Sequence, residues 1–188
     1  YLTQSLQPTE TLREEARQSA DTAIRLQPKL GEAVFAKGFY HYACLRDYDT
    51  AVDYLKQAYR LLPNNSRIPL SLAYVERRRG NWEKSDAYFK EAEKLDPRNV
   101  NLLSQHARSY VCLRRFPEAL ARLEQILNIN PDDIDTIVLK ARIAQAQGDL
   151  PRAATLLAPL RLGVGYVNGL ETQVYQAILE SRPGPVIA

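Results

Sequence analysis

Four prolines, Pro28, Pro63, Pro97 and Pro131, stand 35, 34 and 34 residues apart. A period of that size restricts the chain to a stack of helical hairpins, each too small to bury its apolar face without its neighbours. Other columns keep the step. Tyr48, Trp82, Phe116 and Leu150 lie 34 apart, as do Ala51, Ser85, Ala119 and Ala153, and Leu55, Phe89, Leu123 and Leu157. Ala58, Ala92, Ile126 and Leu160 form one more column, and upstream Phe39, Ala73, Ala107 and Ala141 form another.

Each column has a physical reason. We count positions in a unit so that the closing proline is position 32. Small residues at 8 and 20 let two helices approach closely, and the aromatic at 17 opens the second helix. Apolar residues at 24 and 27 supply a core stripe at helical spacing. The proline ends that helix because it lacks the N–H a further turn needs. Pro117 and Pro151 stand near helix starts, where that N–H is dispensable. Asn64, Asn65, Ser66, Asp132 and Asp133 offer capping oxygens to the first helices.

These residues carry a resemblance to a family. The stretches Asp47-Tyr48-Asp49-Thr50-Ala51 through Ala58 to Leu61-Leu62-Pro63, Gly80-Asn81-Trp82 through Ala92 to Leu95-Asp96-Pro97, and Phe116 through Ile126 to Ile129-Asn130-Pro131 resemble the tetratricopeptide repeat. The resemblance covers about residues 12–162. It implies an all-α, right-handed superhelical solenoid of antiparallel helix hairpins. Residues 1–188 then form one domain: a partial repeat at 1–28, repeats at 29–63, 64–97, 98–131 and 132–162, and a terminal helix and tail at 163–188. Phrases such as Arg46-Asp47-Tyr48-Asp49 also look like repeats from bacterial multidomain signalling proteins.

The departures locate irregularities. The extra residue of the first interval is expected in Lys29-Leu30-Gly31-Glu32, with Phe39 at position 8, although the family prefers Gly38 there. Pro159 should end the last second helix early. Residues 167–181 read as one more amphipathic helix, with Leu170, Val174, Ile178 and Leu179 on one side. Pro183-Gly184-Pro185 reads as a tail.

The chain offers little for chemistry. With 45% hydrophobic and 25% charged residues its composition is that of a globular chain. No apolar run approaches the ~18–20 residues that span a bilayer, and no signal peptide opens the chain. It starts at Tyr1 and has no methionine, which reads as a fragment or processed piece. His41 and His106 belong to different units, no His/Cys/carboxylate cluster has metal-ligand spacing, and no glycine-rich phosphate loop appears. The expectation is therefore no enzyme, no metal and no cofactor. Cys44 and Cys112 stand two periods apart, ~20 Å at one helix diameter (~10 Å) per unit, too far for a disulfide. Reduced thiols lean toward the cytoplasm.

The first-helix face that lines the concave groove in this family gathers the positive charge. Its residues include Lys37, Tyr40, Arg67, Tyr74, Arg77, Arg78, Asn101, Gln105, Arg108 and Arg142, with Asp135 the only acid, whereas the whole chain carries only +3. If Gly38 takes position 8, Lys37 leaves this set and Glu32 enters it. Arginine forks flanked by Tyr40, Tyr74, Asn101 and Gln105 suit carboxylates, so the expected guest is an extended or acidic protein segment. The clamp of chaperone-binding relatives is absent: its positions hold Ala36, Tyr40, Ser71, Asn101 and Gln105. Nucleic acid is disfavoured by the small net charge. The competing reading is an assembly or regulatory segment of a larger signalling polypeptide, self-oligomerising or docked on a neighbouring domain.

Overall fold

The computed structural model describes residues 9–161, 163 and 165–181. The expected tail at Pro183-Gly184-Pro185 lies outside them, as do residues 1–8. Ten helices follow one another, and no strand occurs among the described residues: α1 (Glu10–Leu26), α2 (Gly31–Tyr40), α3 (Tyr48–Leu61), α4 (Arg67–Arg78), α5 (Trp82–Leu95), α6 (Val100–Cys112), α7 (Phe116–Ile129), α8 (Ile134–Ala146), α9 (Leu150–Leu157) and α10 (Val167–Leu179). The chain separates into two compact units, Tyr1–Pro97 and Arg98–Ala188. In the first, α2 pairs with α3 and α4 with α5, α1 lies on α2, and α3 lies on α4. In the second, α6 pairs with α7 and α8 with α9, α7 lies on α8, and α10 lies on α8 and α9.

The small-residue columns sit where helices touch. Ala51, Ala73, Ala107, Ala119, Ala141 and Ala153 are completely buried. Ser85 replaces alanine in one of these columns, and its hydroxyl donates to the Ala73 carbonyl at 2.8 Å. Around these contacts Val34, Val52, Leu55, Ile68, Leu72 and Val75 form the core of the first unit. Leu103, Tyr110, Leu123, Ile126 and Ile143 form that of the second. Each fully buried leucine is worth about 1.5–3 kcal/mol relative to exposure. Asp133 and Asn99 cap their helices, accepting from Thr136 N at 2.8 Å and from Leu102 N at 3.0 Å. Helix α9 is only eight residues long and stops two residues before Pro159, which has no N–H to donate to a further turn.

The hairpin corners repeat as strictly as the prolines. Arg46, Gly80, Arg114 and Gly148, at successive 34-residue steps, all have positive φ: 55°, 79°, 55° and 78°. This left-handed residue closes the first helix of each hairpin. The next residue donates its N–H back into that helix, Asn81 to Glu76 O, Arg115 to Tyr110 O and Asp149 to Ala144 O, each at 2.9 Å and across five residues. In the first repeat the equivalent bond runs from Asp47 to His41 O and spans six. Residues His41–Leu45 form a π-helical turn that continues α2. The extra residue of the 35-residue interval therefore lies in this turn, not in Lys29–Glu32. Gly38 correspondingly takes the small-residue position of the hairpin: a Cβ there would meet Tyr54 Cβ at 3.0 Å and Leu55 Cγ at 3.1 Å. Phe39, expected in that role, is half-buried instead.

Candidate binding surface

The one-residue shift redistributes the expected surface on α2. Lys37 turns toward α1, where its ammonium pairs with Asp21 and lies 5.3 Å from the Tyr40 ring centre. That pairing holds the Asp21 carboxyl below its usual range. Tyr40 is buried with Ala20 and Cys44. Both residues expected to face a guest from α2 are thus engaged with the preceding helix. Their place is taken by Phe35, Phe39 and Tyr42, a half-buried stripe at i, i+4 and i+7. Phe35 and Phe39 stand 6.1 Å apart, and Phe39 and Tyr42 5.9 Å apart edge to face. Sequence reasoning passed over this stripe because it phased α2 on Phe39. Taking Gly38 as the close-approach residue would have revealed it.

Helix α4 brings arginines to these rings. The exposed Arg67 places its guanidinium carbon 5.4 Å from the Phe35 ring centre, linking α4 to the stripe on α2. Arg77 lies 5.4 Å from Tyr74 and 5.9 Å from Phe89, and those two rings meet edge to face at 5.9 Å. An aromatic face pre-orients a guanidinium and leaves its N–H fork able to meet a carboxylate. The three consecutive arginines at the end of α4 have three different surroundings. Arg77 is half-buried on rings, and Arg78 is exposed. Arg79 bridges Asp49 at 2.8 Å and the buried Glu76 at 3.4 Å. Glu76 also accepts from Asn81 Nδ2 at 2.6 Å, so this carboxylate belongs to the hairpin corner.

In the second unit, Asn101 and Arg108 on α6 are exposed and Gln105 is half-buried. On α8 Arg142 and Asp135 are exposed, but Val138, Leu139 and Gln145 are buried. Gln145 donates to Thr172 O at 3.1 Å and to Gln176 Oε1 at 3.0 Å, so α10 covers this part of α8. Nearby, His106 stacks on Tyr110 with 4.3 Å between ring centres, and Arg115 lies 4.7 Å from the same tyrosine ring. His41 contacts Asp47 Oδ2 at 3.2 Å and stacks on Tyr54. Neither histidine stands in a metal-ligand set, since no group of three or more His, Cys, Asp or Glu could hold a metal among the described residues. Cys44 is buried and Cys112 exposed, and burial pushes the Cys44 thiol up. No described helix is long and apolar enough to cross a membrane.

Hairpins repeated at one period define a helical-repeat protein of the kind that serves as an interaction scaffold. Comparison narrows the class. Residues 39–100 and 113–163 match sequence profiles of the tetratricopeptide repeat. The chain belongs to the tetratricopeptide repeat family. Among solved structures it resembles Pseudomonas aeruginosa pilF, with a TM-score of 0.75 at 13% identity over 93% of this chain and 79% of that one. It also resembles PilW, a widely conserved type IV pilus biogenesis factor, with a TM-score of 0.74 at 18% identity over 94% and 82%. YrrB, a TPR protein with an unusual peptide-binding site, gives a TM-score of 0.68 at 13% identity over 89% and 87%. At such identities these likenesses describe the fold. No curated protein matches the sequence.

Proposed function

We propose that this chain is a non-catalytic scaffold whose first-helix faces hold an extended, acidic segment of a partner protein. Membership of a family of protein-interaction scaffolds supports the scaffold role, as does the peptide-binding site of YrrB. The observation that carries the finer reading is Arg67 seated on Phe35 at the start of α4, with Tyr74 and Arg77 further along the same helix. A ring-backed guanidinium on an accessible helix face, as at Arg67, suits carboxylates spaced along an extended backbone. Arg78 extends this set in the first unit, and Asn101, Gln105, Arg108 and Arg142 offer a second polar stretch in the other. A chain of net charge +3 is poorly equipped for the long phosphate track of nucleic acid.

The test is titration of a fluorescein-labelled peptide of alternating glutamate and small residues against the protein, followed by anisotropy. A desolvated arginine–carboxylate bond is worth about 1.5–3 kcal/mol, so the R67E/R78E double variant should weaken binding at least about tenfold. Circular dichroism checks that the fold is kept. Unchanged affinity in that variant and in R108E/R142E, or equal binding of a lysine-for-glutamate control peptide, refutes the reading.

A further inference from the structure

Helix α10 is the exception among the first helices. In α4, α6 and α8 the next helix of the chain covers one flank of each, completing a hairpin. Helix α10 lies on α8 and α9 by one side: Gly169, Thr172, Gln176 and Ala177 are buried, and Gln176 Nε2 donates to Leu150 O at 3.0 Å. On its other side Val167, Leu170, Glu171, Val174, Tyr175 and Ile178 form an open, largely apolar face. Val167 is 58% exposed, Tyr175 53% and Ile178 53%, three large apolar side chains gathered on one face of a single helix.

We infer that this face of α10 packs on the same face of a second copy of this chain, the two α10 helices lying antiparallel about a two-fold axis. The stripe is self-complementary. With the axis level with Gln173, Val174 sits beside its own symmetry mate, Leu170 fits between Val174 and Ile178 of the second copy, and Ile178 meets Val167 of the second copy. Glu171, the one charge in the stripe, comes level with Tyr175 of the second copy, whose hydroxyl can donate to it. No lysine or arginine occurs in α10 to oppose such pairing. The exposed apolar side chains offer on the order of 500 Å² per copy, so the pair would bury at most roughly 1,000 Å², the lower edge of a specific interface. Weak dimerisation, in the micromolar range, is the consequence. This surface is separate from the arginine faces, and the inference stands or falls without them.

Sedimentation equilibrium on the whole chain, from about 1 to about 500 µM, brackets that expected range. The apparent mass should climb from 21.3 kDa toward twice that value. Because Val174 meets its own mate, V174E and V174K should each weaken the dimer about tenfold or more, through burial of like charges. An equimolar mixture of the two should recover it as a heterodimer. Circular dichroism of each variant reports retention of the fold, which an exposed position should permit. A wild-type mass of 21.3 kDa throughout, a dimer indifferent to both substitutions, or a mixture no tighter than its components would each overturn the inference.

Discussion

The four left-handed corners form a natural experiment in backbone strain. An L-residue in this conformation costs about 1–2 kcal/mol, a penalty glycine escapes. Gly80 and Gly148 hold it without strain, whereas Arg46 and Arg114 hold it with a Cβ. A Cβ placed on Gly80 or Gly148 meets nothing within 4 Å, so the cost of adding one there is torsional alone. Glycine also frees the unfolded chain, which offsets about 0.4–1 kcal/mol of its advantage. The expected balance is a gain of about 0.5–1 kcal/mol for R46G and for R114G, and a loss of similar size for G80A and for G148A. R46A and R114A remove the same side chain but keep the strained Cβ, so the glycine variant compared with the alanine variant isolates the backbone. Urea denaturation followed by circular dichroism reads these differences, and melting temperatures should move by about 2–4 °C per kcal/mol at this chain length. The reasoning fails if R114A is as stable as R114G, or if G80A leaves the midpoint in place.

Two further outcomes follow from the first unit. G38V should cost about 1–3 kcal/mol by overpacking, because the added atoms push on Tyr54 and Leu55 across an interface already in contact; equal stability in urea would place the close approach elsewhere. The Asp47 carboxyl accepts from Thr50 and contacts His41, and these bonds hold it below its usual range. A depressed carboxyl stabilises the fold above its unfolded pKa, near 4, and loses that contribution as pH falls through the folded value. D47N should therefore flatten the acid limb of the stability–pH curve below pH 4, and an unaltered limb would assign the acid sensitivity to other groups.

Much of this architecture is legible in the sequence because hairpin packing is local and repeated. Prolines end the second helices, alanines mark the close approaches, and Asp133 caps the helix its position announces. Two features resisted for different reasons. An insertion in a loop and an insertion within a helix leave identical proline spacing, so the interval of 35 could not distinguish Lys29–Glu32 from His41–Leu45. The shared left-handed corner was visible at Gly80 and Gly148, but arginine has no preference for that conformation, and Arg46 and Arg114 declare it only when superposed at the period. On the candidate surface, charge counting singled out Arg67, Arg77 and Arg78, which the structure sets on α4 against rings or in solvent. It misplaced Lys37 and Tyr40 because their partners, Asp21 and Ala20, lie on an element outside the hairpin being phased. Helix α10 was expected with one apolar side, but amphipathicity alone does not say whether that side is covered.

The π-helical turn carries a consequence for reading any such array by columns. One added residue advances the chain by about 100° around a helix axis. Residues on the two sides of His41–Leu45 therefore belong to different phases, and their counterparts in other units are positional homologues without being chemical ones. Cys44 and Cys112 share a column, yet the first lies among Ala20 and Tyr40 while the second meets solvent. Inheritance of a repeat thus copies the corner and the seam between helices faithfully. It leaves the outward faces to drift in rotation, and that is how one scaffold can present dissimilar surfaces from nearly identical building blocks.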